Sequence, residues 1–96
     1  MSSNSSRARI EVERLLHDGN WHSRGELQSL CVAHTPPEVA ARQVGARYKT
    51  GLEERILVGC ARIASAIASD LYRAGRITRE VRTTGVWYRW IGPKQK

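Results

Sequence analysis

Residues 67–91 read IASDLYRAGRITREVRTTGVWYRWI, and this stretch decides the fold. Up to Ala74 the apolar positions recur every three or four residues. Gly75 then interrupts as a left-handed helix cap, and from Arg76 to Val81 the pattern changes to period two, the signature of a strand. Arg82-Thr83-Thr84-Gly85 suits a turn, and Val86-Trp87-Tyr88-Arg89-Trp90-Ile91 is a second strand rich in β-branched and aromatic residues. A helix feeding directly into a β-hairpin follows. Upstream, Leu52, Ile56, Gly59 or Cys60, Ile63, Ile67 and Leu71 keep the helical spacing. This permits either one long helix or a short one followed by a second from about Gly59, with 60–74 helical in both cases and Ile63, Ile67, Leu71 and Ala74 as its buried stripe.

Working towards the N-terminus, Thr35-Pro36-Pro37-Glu38 is a helix-start signal with Pro36 at the first helical position, predicting a helix through about Tyr48. Ser23-Arg24-Gly25-Glu26 is a capping box that opens a helix whose apolar stripe, Leu27, Leu30 and Cys31, ends before His34. Asn20-Trp21-His22 is too short for an independent strand. Residues 6–17 carry Ala8, Val12, Leu15 and Leu16 at helical spacing and stop at Asp18-Gly19. Residues 1–6 and 93–96 are polar and read as disordered tails. The expected architecture is mainly α with a small β-hairpin: three or more helices and a two-stranded sheet in one domain over 7–92.

Composition narrows the function. A 96-residue chain fits one modest core, and with 41% hydrophobic and 26% charged residues it has the balance of a soluble globular protein. No run approaches the roughly 18 apolar residues that span a bilayer, and the polar start MSSNSSRAR lacks a secretory pattern, so the expected location is cytoplasmic. Sixteen Lys and Arg against nine Asp and Glu give a net charge of +7, the balance of a protein that seeks polyanions. Thirteen of the sixteen are Arg, which suits forked contacts to phosphate and guanine and also fits a GC-rich genome, such as that of a bacterium or its phage. The charge is uneven. Residues 1–50 hold seven cations and five acids, whereas 51–96 hold nine and four, so the C-terminal half carries the positive field.

Catalysis and metal binding find little support. Cys31 and Cys60 lie in apolar helical stretches and read as buried free thiols; the histidines and cysteines lack the paired spacing of a zinc site; no phosphate loop or usefully spaced carboxylate pair is present. The expectation is a protein that is not an enzyme and needs no cofactor or metal.

The passage Leu15 to Leu27 (LLHDGNWHSRGEL), together with IASDLYRAGRI and the hairpin after it, resembles the winged helix-turn-helix family over most of the chain. The resemblance implies a DNA-binding regulator of transcription or recombination, associated with the nucleoid, whose third helix (about 60–74) enters the major groove and whose wing (76–91) meets phosphates or an adjacent minor groove. Matching residues onto these roles gives Arg62, Ser65, Ala66, Ser69 and Arg73 on the helix face, Arg76 after it, and Arg79, Arg82, Thr83 and Thr84 on the wing. Arg24, in the first turn of the second helix, could reach a phosphate. The chain departs from the family at 35–58, where some twenty-five residues replace a short turn. This insertion could pack beside the motif, form a homodimer or hold a partner protein. A winged helix that binds an acidic protein is the alternative, because fold does not determine function. Trp21, Trp87 and Trp90 read as core, with Trp87 or Trp90 open to a partner.

Overall fold

The computed structural model of the chain describes residues 3–44 and 51–92. The first helix, α1, spans Ser3–Leu16 and so begins inside the segment expected to be a tail. Ala8, Val12 and Leu16, four residues apart, are fully buried on one face, and Gly19 turns the chain with φ of +81°. Next, β1 (His22–Ser23) leads straight into α2 (Arg24–His34). The capping box forms as expected: Glu26 N–H donates to Ser23 Oγ at 3.2 Å, and Ser23 N–H donates to the Glu26 carboxylate at 3.0 Å.

The following helix, α3, spans only Pro37–Arg42, starting one residue later and ending sooner than expected. Its start has a local cause. A residue before proline is excluded from the α region, so Pro36 adopts φ −58° and ψ 140° and Pro37 becomes the first helical residue. Thr35 therefore does not cap α3; its buried hydroxyl has no hydrogen-bond partner. The end expected near Tyr48 lies outside the described residues.

One continuous helix, α4, spans Leu52–Arg73. Gly59 does not break it, because that position serves a contact: a Cβ there would stand 1.8 Å from the Ala40 carbonyl oxygen, so only glycine lets α3 lie this close. Ile63, Ile67 and Leu71 are buried as expected, but Ala74 is exposed, since it caps the helix rather than continuing the stripe. Gly75, with φ of +77°, completes a Schellman ending in which Arg76 N–H donates to Leu71 O at 2.9 Å and Gly75 N–H to Tyr72 O at 3.0 Å.

The hairpin comprises β2 (Ile77–Arg82) and β3 (Gly85–Trp90). Pairing of Arg82 with Gly85 leaves Thr83-Thr84 as a two-residue loop. The sheet gains a third strand beyond the expected two: β1 pairs antiparallel with β3, His22 opposite Tyr88 and Ser23 opposite Trp87, in the order β1-β3-β2. Among the described residues, four helices thus pack with a small three-stranded antiparallel sheet, and Ile77 and Tyr88 carry the sheet into the helical core. His17 and Trp90 stack with ring centroids 4.1 Å apart, joining the end of α1 to β3. Among the described residues no helix is long and apolar enough to cross a membrane.

Cys31 and Cys60 are buried free thiols within this core. Burial, with a smaller contribution from nearby Cys60, pushes the Cys31 thiol up to about 11, and burial likewise raises Cys60. Neither is a reactive thiolate at neutral pH.

His22 clamps the α1–β1–α2 junction. Its Nε2 lies 3.0 Å from the Asp18 carboxylate and its Nδ1 3.0 Å from Glu26 Oε1, so the doubly protonated ring can donate to both. Burial pulls the imidazole pKa down, but the hydrogen bonds and charges of the two carboxylates outweigh it and raise it above the ordinary 6.5. Asp18 moves the other way, below 3.8, chiefly through the backbone N–H of Asn20 and then through His22. Because the folded His22 pKa is raised, its stabilisation is complete below 6.5 and disappears as pH rises through the folded value. The Asp18 contribution is complete above 3.8 and disappears as pH falls through its lowered value. Thermal unfolding of the wild type should therefore move to lower temperature above pH 6.5, and His22→Gln should flatten that alkaline decline. A wild-type midpoint that stays constant from about pH 6 to pH 9 would exclude the clamp.

Candidate nucleic-acid interface

The last two turns of α4 and the hairpin meet at a cleft. Ser69 and Arg73, one turn apart, share a helix face. On β2, side chains alternate, so Ile77 and Arg79 point to the same side as their cross-strand partners Trp90 and Tyr88. That side faces α4, since Ile77 and Tyr88 are buried against it. The Arg79 guanidinium lies over the Tyr72 ring, 4.7 Å from its centroid. The resulting 260 Å³ cleft is lined by Ala68, Ser69, Tyr72, Arg73, Arg79 and Tyr88. Three of the sequence-predicted site residues, Ser69, Arg73 and Arg79, are thereby brought together, with exposed Arg76 following Arg73 across the Gly75 cap.

The acids nearest in sequence to these arginines are paired with other residues. Asp70, the acid between Ser69 and Arg73, pairs with Arg9 of α1 at 3.6 Å. Glu80, beside Arg79 on the opposite sheet face, pairs with Arg82 at 2.8 Å. Among the described residues Arg73, Arg76 and Arg79 have no carboxylate partner.

Other predicted site residues are placed apart. Arg62 lies about three turns up α4 from Arg73 and donates Nη1–H to the Gln43 carbonyl at 2.8 Å, tying the end of α3 to α4. Ser65 is half-buried and Ala66 exposed along the same helix. On the sheet's other face, the Arg82 guanidinium lies between two indoles, 5.2 Å from the Trp21 ring centroid and 4.8 Å from that of Trp87. Thr84 Oγ1 accepts a hydrogen bond from Trp87 Nε1 at 3.0 Å, and Thr83 is exposed at the tip. Arg24 is exposed on the first turn of α2. The aromatic residues Tyr72 and Tyr88 were not among the expected site residues. A two-residue turn at Thr83-Thr84 would have paired Arg79 with Tyr88, which is the signal that finds the second of them.

Among the described residues, no group of three His, Cys, Asp or Glu side chains is arranged to hold a metal ion. No known protein family, curated protein or solved structure matches the chain.

Proposed function

We propose that this protein is a non-catalytic DNA-binding regulator of the winged helix-turn-helix type, in which the C-terminal half of α4 is the recognition helix and the β2–β3 hairpin the wing. The observation that carries the reading is the meeting of Arg73 and Arg79 beside Ser69 in one cleft, with exposed Arg76 between them in the chain and the neighbouring acids engaged elsewhere. Uncompensated arginines on a surface of a +7 protein attract a polyanion, and phosphate is the group their forks fit. Ala66 and Ser69 present small side chains ahead of Arg73, allowing the helix backbone close to base edges. Arg24 supplies a further phosphate contact, and Thr83 meets the backbone at the wing tip. Arg62, Arg82 and Thr84 are instead engaged with neighbouring elements, through Gln43 O, the Trp21 and Trp87 indoles and Trp87 Nε1. Such a protein acts on transcription or recombination and associates with the nucleoid.

A contact with another chain is the second reading, and one observation favours it: Leu52 and Leu57, at the start of α4, are 62% and 50% exposed beside half-buried Ile56. A homodimer or a partner protein would cover this apolar edge of the 35–58 segment while leaving the arginine cluster open to DNA.

Fluorescence anisotropy of a labelled random-sequence duplex, titrated at several salt concentrations, tests the DNA reading. Three arginine–phosphate contacts predict a slope of about −2.7 in log K against log salt, steeper with Arg24 added. Absence of binding even near about 50 mM salt would overturn it.

A further inference from the structure

We infer that the cleft between the last turns of α4 and the Arg79–Tyr88 rung of the hairpin is a seat for one phosphate group, held by Arg73, Arg79, Ser69 and the Tyr88 hydroxyl. The inference rests on the DNA reading for its expected occupant, a backbone phosphodiester. A free phosphomonoester carries the same chemistry.

Several independent features converge on it. Two guanidinium groups line one small space, and the two acids nearest in sequence are paired with Arg9 and Arg82 at 3.6 and 2.8 Å. Like charges gathered around a partly enclosed cleft are stabilised by an anion between them. Arg79 is held in place by the Tyr72 face, so little freedom remains to be lost on binding. Tyr88 is only 4% exposed, lines the cleft, and makes no side-chain hydrogen bond to another described residue. Its hydroxyl is therefore available to donate to a ligand oxygen in the cleft.

Size and donor count choose the ligand. At 260 Å³ the cleft falls below the roughly 300–1,000 Å³ of small-molecule pockets, so it suits a small ion or a terminal group of something larger. Two guanidinium forks and two hydroxyls offer more donors than the two oxygens of a carboxylate can use. A phosphate group presents enough acceptors.

The test titrates the full chain with inorganic phosphate, replacing chloride at constant ionic strength, and follows the arginine Nε–Hε signals by NMR. Arg73 and Arg79 should shift and saturate while Arg24 and Arg62 do not. Tyr88→Phe, which keeps the ring in the core, should weaken phosphate binding about tenfold, and Arg79→Gln, at an exposed position, should abolish it. Arg73 and Arg79 signals that ignore phosphate, or a Tyr88→Phe affinity equal to wild type, would overturn the seat as assigned. Two further titrations identify the source. If the occupant is backbone phosphodiester, inorganic phosphate weakens duplex binding at constant ionic strength and glycerol 3-phosphate binds no tighter than inorganic phosphate. If it is a free phosphomonoester, glycerol 3-phosphate binds at least about tenfold tighter. Both outcomes retain the seat. A protein that takes phosphate but no duplex removes the DNA reading and keeps the seat; one that binds duplex while Arg73 and Arg79 ignore phosphate does the reverse.

Discussion

Gly59→Ala should destabilise the protein by about 2 kcal/mol or more, with a fall in Tm of about 8–16 °C. In an exposed helix interior the same change stabilises by roughly 0.5–1 kcal/mol, so the expected sign is reversed by packing alone. The added methyl would meet three backbone atoms of Ala40, the oxygen at 1.8 Å, the carbonyl carbon at 2.5 Å and the Cα at 3.1 Å. None of these can rotate away as a side chain would. All of α3 must retreat, opening the layer that buries Val39, Ala40 and Ala41 and displacing Gln43, whose carbonyl receives Arg62. Gly25→Ala is the matched control. It lies in the first turn of α2, where the nearest atom to a new Cβ is Ser23 Oγ at an ordinary 3.7 Å. That variant should be neutral or stabilised by about 0.5 kcal/mol. Thermal unfolding of the two variants decides the point, and equal shifts would show that α3 does not seat on Gly59.

Arg73→Ala combined with Arg76→Ala should reduce affinity for random-sequence duplex roughly 100-fold at low salt. The salt slope should lose about 1.8, from two phosphate contacts at 0.9 each. Both side chains are exposed and without carboxylate partners among the described residues, so folding should be unaffected. Arg62→Ala provides the opposite pattern: with its guanidinium bonded to Gln43 O, its removal should cost about 1 kcal/mol of stability and leave the slope unchanged. A double variant that weakens binding equally on all sequences identifies phosphate contacts. A loss confined to particular sequences identifies base contacts at the same positions. If affinity and slope remain those of wild type, the junction of α4 and the hairpin is not the DNA surface.

The features legible in the sequence were the local ones. Gly75 between a three-to-four period and a period of two marks the end of α4 and the start of the hairpin, because both the left-handed cap and the alternation are encoded within a few residues. Ser23 and Glu26 announce α2 for the same reason. What escaped the sequence depends on distant partners. His22–Ser23 is too short to show a period and becomes a strand only by pairing with Tyr88 and Trp87. Gly59, ambiguous as a break, is explained only by Ala40 across the helix interface. At Thr35 the capping pattern misled because the second proline restricts the first, a local rule that outweighs the spacing of Thr and Glu.

The candidate site divides along the same line. The arginine-rich junction was readable from charge, but which arginines remain unpaired was not. Arg82 differs from Arg79 through the indoles of Trp21 and Trp87 and the carboxylate of Glu80, and Arg62 differs from Arg73 through one carbonyl on α3. Alternation along β2 assigns Arg79 and Arg82 to opposite sheet faces, but only tertiary packing shows which face α4 covers.

Backbone amide NMR of the isotope-labelled chain, titrated with a short random-sequence duplex, tests the central claim most directly. The account predicts that the perturbed amides cluster over residues 66–79 and at Arg24 and Thr83, with the face of α1 and the start of α4 unchanged. Perturbations centred on Leu52 to Leu57 or on the Trp21–Trp87 face, or no perturbation by duplex at all, would contradict it.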